Sequence, residues 1–138
     1  MILLDTSGLL AALDATQEWH SDAAASLTAA SPPLLLSPFV LAELDYLLST
    51  RVGHEARASF LGEVGRGAYA LAPMSGTDVD QARTIINRHA DLGISLADAS
   101  VVLLAERHEV REVLTLDQRH FRVLAAAGKP FRVLPADA

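Results

Sequence analysis

Short, fully apolar runs separated by longer helical stretches limit the fold of this 138-residue chain more than any other feature. The runs predict four short strands, over 2–4, 34–36, 112–115 and 131–134, and a weaker strand over 69–71. A strand that is apolar on both faces has to be covered on both sides, as the strands of parallel sheets are. Strands that alternate with helices therefore predict an α/β protein whose mostly parallel sheet is covered by helices on both faces.

The stretches between the runs predict seven helices. Their expected positions are about 8–13, 19–30, 38–50, 53–64, 78–89, 96–108 and 118–127. Ser37 followed by Pro38 is the strongest helix start, because serine caps a helix and proline fits its first turn. The other predicted caps are Ser95 and, as pairs of alternatives, Thr6 or Ser7 and Thr77 or Asp78.

The composition is that of an ordered protein. With 51% hydrophobic residues the chain is too apolar to be disordered, and its length suits one domain over 1–138. It contains no cysteine, which excludes disulfides, thiolate zinc sites and cysteine nucleophiles and suits a reducing cytoplasm. No apolar stretch approaches the roughly 18 residues that span a bilayer, and the first apolar run stops at Asp5 without a basic segment before it. We therefore expect a cytoplasmic protein with no signal peptide and no membrane contact.

Four acidic residues lie beside or within apolar segments, where a carboxylate is costly. Asp5 directly follows the first apolar run, and Asp117 ends the segment 113–117. Glu43 and Asp98 lie near the beginnings of predicted helices, with apolar residues three and four positions away on the same expected inward face. Burying a carboxylate costs several kcal/mol unless it is paired, protonated or bound to a cation.

These four acids are expected to converge. The carboxyl ends of parallel strands meet at one edge of the sheet, and ligands bind in the crevice outside that edge. The chain has eleven Lys and Arg residues against seventeen Asp and Glu, so few basic groups can neutralise the acids. Carboxylate oxygens suit a hard divalent cation, and the sequence therefore predicts a Mg²⁺ or Mn²⁺ site. The net charge of −6 argues against broad attraction to nucleic acid unless metal and local arginines supply a positive field.

Each acid also has an ordinary structural explanation. Asp5 could cap a helix, Asp117 could be a turn residue, and the segment 95–98 has the form of a capping box. Glu43 fits such an explanation least, because it lies inside a helix and caps nothing. Four separate structural roles are a poorer explanation than one shared site.

The acids belong to motifs that resemble a known family. The motifs are Asp5-Thr6-Ser7 after the first strand, Glu43 after Ser37-Pro38, Leu96-Ala97-Asp98-Ala99, and Thr115-Leu116-Asp117-Gln118-Arg119-His120-Phe121. In this order and spacing, over essentially the whole chain, they resemble the PIN-domain ribonucleases and more narrowly the VapC toxins of bacterial toxin–antitoxin pairs. The resemblance implies a three-layer α/β/α sandwich and Mg²⁺- or Mn²⁺-dependent cleavage of RNA by an activated water. It also implies a cognate antitoxin that covers the site and a toxin homodimer.

The resemblance assigns roles residue by residue. Asp5, Glu43, Asp98 and Asp117 match the acidic catalytic quartet of the family, and Asp5 and Asp98 match its metal-binding positions. Thr115 matches a hydroxyl residue that supports the fourth acid. The quartet is complete in this chain, so it gives no sign of an inactive relative.

Three more polar residues lie close to Asp117 in the sequence. Arg119 and Arg122 could bind phosphate, although a solvated helix face explains both slightly better. His120 invites a general-base role, but an ion that activates water removes the need for one. We therefore expect His120 to be structural.

Two other function classes compete with a nuclease. A receiver-like phosphoacceptor domain shares the size and a strand-terminal aspartate, but it carries an acidic pair after its first strand, where this chain has Asp5 and Thr6. Its lysine follows a strand, whereas Lys129 precedes the strand over 131–134. A catalytically silent binding module on the same fold is the second alternative, and the complete quartet counts against it. A haloacid-dehalogenase-type phosphatase fits less well, because the second aspartate of such enzymes is absent.

Overall fold

A parallel sheet of five short strands lies at the centre of the structure, a computed structural model that describes residues 1–138. Its strands are β1 (Ile2–Leu4), β2 (Leu34–Leu36), β3 (Ala70–Leu71), β4 (Glu112–Leu114) and β7 (Arg132–Leu134), in the order β3-β2-β1-β4-β7. Two further strands, β5 (Ala125–Ala126) and β6 (Lys129–Pro130), form an antiparallel hairpin. All four pairings in the central sheet are parallel, which confirms the prediction.

Helices flank this sheet. They are α1 (Thr6–Leu13), α2 (His20–Ala29), α3 (Pro38–Arg51), α4 (His54–Gly65), α5 (Gly76–Arg88), α6 (Leu96–His108) and α7 (Gln118–Phe121). Successive residues Ile2 and Leu3 point to opposite faces of the sheet, yet both are inaccessible to solvent. Helices therefore cover both faces, as expected of a three-layer α/β/α sandwich. None of these helices has the length and apolar character needed to cross a bilayer.

Serine caps position the two helices that carry Glu43 and Asp98. Ser37 caps α3 by accepting a hydrogen bond from the backbone N of Phe39 at 3.1 Å, and Ser95 caps α6. Both caps were predicted from the sequence. They matter for the site because each fixes where its helix begins beside the end of a strand.

The predicted caps of two other helices are wrong. Asp5, and not Thr6 or Ser7, directly precedes α1, and its side chain accepts no bond from the helix backbone. Ser75 caps α5 because it forms a reciprocal box with Asp78, whose Oδ2 accepts from the backbone N of Ser75 at 2.8 Å. The box moves the start of α5 ahead of the predicted cap at 77 or 78.

The predicted helix over 118–127 is only partly present. α7 ends at Phe121, and the chain continues into the hairpin of β5 and β6. Ala127 and Gly128 have positive φ angles of 49° and 76°, which reverse the chain at the hairpin tip. Buried Phe121 packs edge to face against Phe131 at a centroid distance of 5.5 Å, so the hairpin is held against the core.

A glycine in the first turn of α1 allows that helix to approach the end of β4. A Cβ atom on Gly8 would lie 2.4 Å from the carbonyl carbon and oxygen of Leu114 and 2.6 Å from the backbone N of Thr115. No side chain fits at this distance. The approach brings the residues after β1 beside those after β4.

Replacing Gly8 by alanine should therefore destabilise the protein by about 2 kcal/mol or more, because overpacking typically costs about 1–3 kcal/mol and here the obstacle is backbone. Gly65→Ala is the matched control: a Cβ atom there meets nothing within 4 Å at the end of α4. Alanine at 65 should be neutral or slightly stabilising. Urea unfolding of both variants measures the difference, and equal stabilities would contradict the close approach.

Candidate active site

The four acids of the predicted quartet line one pocket of about 340 Å³. Asp5 follows β1 and Asp117 lies just beyond β4, and these two strands are parallel neighbours. Glu43 comes from α3 and Asp98 from the first turn of α6. Residues from four separate parts of the chain therefore meet at the carboxyl edge of the sheet.

Asp5 is the most deeply enclosed of the four. The residue is 4% exposed, and its Oδ2 accepts hydrogen bonds from Thr115 Oγ1 at 2.6 Å and Ser7 Oγ at 3.2 Å. Thr115 Oγ1 in turn accepts from the backbone N of Asp117 at 3.0 Å. The threonine thus ties the first acid of the quartet to the segment that carries the fourth.

Burial raises the pKa of Asp5 from 3.8 to about 7. The hydrogen bond from Thr115 opposes this rise, and the negative charge of Asp98 adds to it. No lysine or arginine is paired with Asp5. A carboxylate in this environment is ionised at neutral pH only at a cost, and a nearby cation would remove that cost.

Asp98 takes part in the cap of α6 and also lines the pocket. Its Oδ2 accepts from the backbone N of Ser95 at 3.0 Å, and Ser95 Oγ accepts from the backbone N of Asp98 at 3.0 Å. The capping box expected as the ordinary explanation is therefore present. However, Asp98 is only 8% exposed and faces the pocket, and its other oxygen accepts no hydrogen bond. Asp78 forms the same kind of box in α5 but lies outside the pocket, so capping alone does not explain where Asp98 lies.

Asp117 precedes α7 and holds His120 beside the other acids. Its Oδ1 accepts from the backbone N of His120 at 3.0 Å, and its Oδ2 lies 2.7 Å from His120 Nδ1. The same ring nitrogen lies 3.3 Å from Oδ2 of Asp98. Asp98, Asp117 and His120 each offer one atom that could bind a metal ion, and these three atoms lie within 4.8 Å of one another. This spacing suits a shared ion. Only the pairing of Asp117 with His120 had a signal in the sequence, because residues three apart at the start of a helix share a face.

Glu43 departs from its predicted environment. The sequence placed it on an inward apolar stripe, but that prediction is wrong, since Glu43 is exposed and makes no hydrogen bond. The buried face of α3 is formed by Val40, Leu44 and Leu48. Glu43 lies one position to the side of this stripe, where the helix borders the pocket. Its carboxylate is therefore free to reach into the site.

One arginine that was not among the predicted site residues lines the same pocket. Arg51 is exposed and forms no ion pair, and it is the only arginine or lysine in the lining. Glu43, Leu47 and Arg51 are spaced four apart on α3 and all line the pocket, so the helical period alone could have found this residue. Arg119, which the sequence suggested, is exposed and lies outside the lining. Arg122 is committed to Asp137 at 2.7 Å.

The donor set fits a hard divalent cation. Four carboxylates line a single small pocket, and the most buried of them has no positive partner within the chain. Oxygen-rich sites of this kind bind Mg²⁺ or Mn²⁺. Lys129 lies in the hairpin and not in the pocket, so the site lacks the lysine that a receiver-like phosphoacceptor would need.

Comparison with known proteins gives a consistent result. The family model described as PIN domain matches residues 2–127. The chain is 41% identical over 135 residues to Ribonuclease VapC26 of Mycobacterium tuberculosis. The matched region covers 97% of this chain and 100% of that protein.

Solved structures share the fold. VapC20 of Mycobacterium tuberculosis, a toxin that cleaves the sarcin–ricin loop, superposes with a TM-score of 0.79 at 23% identity over 85% of this chain and 90% of that one. FitAcB from Neisseria gonorrhoeae superposes with a TM-score of 0.61 at 20% identity over 96% of this chain and 97% of that one.

The raised pKa of Asp5 predicts how stability depends on pH. Between pH 3.8 and about 7 the folded protein binds a proton that the unfolded chain releases, so stability is lost as the pH rises through this window. In EDTA, Asp5→Asn should be more stable than the unchanged protein at pH 8, by on the order of a few kcal/mol, and this advantage should shrink toward pH 4. Urea unfolding across this range measures the difference.

Added Mg²⁺ supplies the internal control for this prediction. At pH 8 it should stabilise the unchanged protein and have little effect on Asp5→Asn. A stability difference between the two proteins that stays constant from pH 4 to pH 8 would show that the carboxylate of Asp5 is not strained by burial.

Proposed function

The chain belongs to the PIN-domain family, and from this premise we propose that it is the endoribonuclease toxin of a toxin–antitoxin pair, with its active site in the acidic pocket. The observation that carries the proposal is the meeting of Asp5, Glu43, Asp98 and Asp117 in one pocket of about 340 Å³. The 41% identity to a ribonuclease over nearly the whole chain supports the same activity. The reaction is hydrolysis of a phosphodiester bond in RNA.

The proposed roles follow from burial and hydrogen bonding. Asp5 and Asp98 are the buried acids and hold the cation, for which we propose Mg²⁺, with Mn²⁺ as the alternative. Such an ion, when bound, supplies a water of lowered pKa for attack on phosphorus. Glu43 and Asp117 are more accessible and orient the water molecules around the ion. Thr115 positions Asp5 through the 2.6 Å hydrogen bond.

RNA has to approach an acidic pocket on a chain whose net charge is −6. Arg51 lies at this pocket without an acidic partner, so its guanidinium is free to bind a phosphate of the substrate. We propose Arg51 as the residue that offsets local repulsion during RNA binding. Arg119, next to the same segment, stays a second and less directly placed candidate.

The antitoxin and the homodimer are also part of the proposal. Three of the eight exposed large hydrophobic side chains, Tyr46, Val52 and Leu61, come from α3, α4 and the turn between them. The same α3 carries Glu43 and Arg51 at the pocket. A partner that covers this helix would bury apolar surface and close the active site together. The cytoplasm is the proposed location of both proteins.

Asp98→Asn should abolish RNA cleavage while keeping the fold. Asparagine retains a side-chain oxygen for the capping bond from Ser95, so the change removes charge and little else. The rate should fall at least about hundredfold, the scale on which active sites lose one electrostatic contact. A gel assay on purified protein with added Mg²⁺ measures it.

Asp78→Asn is the matched control, because Asp78 occupies the same position of a capping box on α5 and lies outside the pocket. Its activity should stay close to that of the unchanged protein. Undiminished cleavage by Asp98→Asn would refute the proposed site. RNA binding that survives EDTA, without cleavage by the unchanged protein, would favour the silent binding module instead.

Arg51→Ala should weaken RNA binding by a similar factor for all RNA sequences. It should also reduce the magnitude of the slope of log affinity against log salt concentration by about 1, because one phosphate contact is lost. Arg111→Ala is the control, because Arg111 is also exposed and unpaired but precedes β4, at the opposite edge of the sheet. Both changes are made in Asp98→Asn protein, so that RNA stays intact during the titrations. Equal salt dependence of the two variants would exclude Arg51 from the RNA contact.

A further inference from the structure

The ring of His120 occupies an unusual position between two acids. Its Nδ1 lies 2.7 Å from Oδ2 of Asp117 and 3.3 Å from Oδ2 of Asp98. Neither approach has the alignment of a hydrogen bond, and this buried nitrogen has no hydrogen-bond partner. The backbone N of the same residue is bonded to Oδ1 of Asp117 at 3.0 Å, which fixes the start of α7 and therefore the place of the ring.

A buried polar atom without a partner is costly, and the cost is usually avoided. A metal ion bound between the ring and the two carboxylates would give this nitrogen a partner. Nδ1 and one oxygen each of Asp98 and Asp117 lie within 4.8 Å of one another, the spacing of ligands around one ion.

We propose that His120 contributes Nδ1 as a nitrogen ligand to the divalent ion of the acidic pocket, on the side where Asp98 and Asp117 lie. The proposal rests on the proposed function, because it adds a residue to the same metal site. A nitrogen ligand changes the relative affinity of the site for different metal ions. Both ions favour oxygen ligands, but Mn²⁺ accepts an imidazole nitrogen more readily than the small, strongly hydrated Mg²⁺ does. His120 therefore raises the affinity of this site for Mn²⁺ more than its affinity for Mg²⁺.

Pulsed electron paramagnetic resonance of the full chain with less than one equivalent of Mn²⁺ tests the ligand directly. The unchanged protein should show a hyperfine coupling from one imidazole nitrogen. Labelling the histidines with ¹⁵N should change this coupling in the ratio of the two nuclear moments, and His120→Asn should remove it. His108→Asn, at an exposed histidine at the end of α6, should leave it unchanged.

Metal affinity gives a second readout. His120→Asn should weaken Mn²⁺ binding by about tenfold or more, within the range found when groups that support a metal site are removed. Binding of Mg²⁺ should change much less. Isothermal titration calorimetry with each ion alone, on the unchanged protein and both histidine variants, measures the ratio.

Several results would overturn the proposal. Bound Mn²⁺ without nitrogen coupling in the unchanged protein would show an all-oxygen site, as would equal losses of Mn²⁺ and Mg²⁺ affinity in His120→Asn. The absence of any Mn²⁺ binding would also refute it. If His120→Asn does not fold, the labelled unchanged protein still shows whether any histidine binds the ion, and the absence of nitrogen coupling there still refutes the proposal. If the protein cleaves RNA but its bound ion has only oxygen ligands, the proposed function stands and the role of His120 is refuted. If the ion shows nitrogen coupling but the protein cleaves no RNA, His120 is a ligand and the proposed function is refuted.

Discussion

The structure depends most on one buried contact, the 2.6 Å hydrogen bond from Thr115 to the carboxylate of Asp5. It joins the residue after β1 to the residue after β4, and through the backbone N of Asp117 it also holds the loop before α7. Ser7, in the first turn of α1, bonds to the same carboxylate. Burial destabilises the ionised form of Asp5, and two neutral hydroxyl groups orient this carboxylate without neutralising its charge.

The brevity of the strands explains why so many distant residues meet. β1 and β4 have three residues each and run side by side in the same direction, so the chain leaves both at the same edge. α1 can begin at once beside that edge because Gly8 allows contact with the backbone of Leu114. Glu43 lies in the second turn of α3 and Asp98 in the first turn of α6, and both helices begin at a serine cap. The pocket is therefore a product of where elements begin and end, and the residues between those points mainly form the core.

Local patterns in the sequence predicted the elements well and their environments less well. The apolar runs, the Ser37 and Ser95 caps and the four acids could all be read from neighbouring residues, because each depends on contacts within a few positions. The exposure of Glu43 depends on how α3 is rotated against its neighbours, which no local pattern specifies. The hairpin after α7 was missed since an alanine-rich segment fits a helix equally well until Ala127 adopts a positive φ. Strand order and the approach of His120 to Asp98 are likewise long-range properties.

The two oxygens of the Asp98 carboxylate have different roles at the start of α6. Oδ2 of Asp98 satisfies the backbone of Ser95, while Oδ1 has no partner within the chain. The helix end is consequently complete in the absence of any ion, and gain or loss of an ion does not require α6 to unwind or refold. Such a scaffold can bind and release an ion repeatedly with little conformational change.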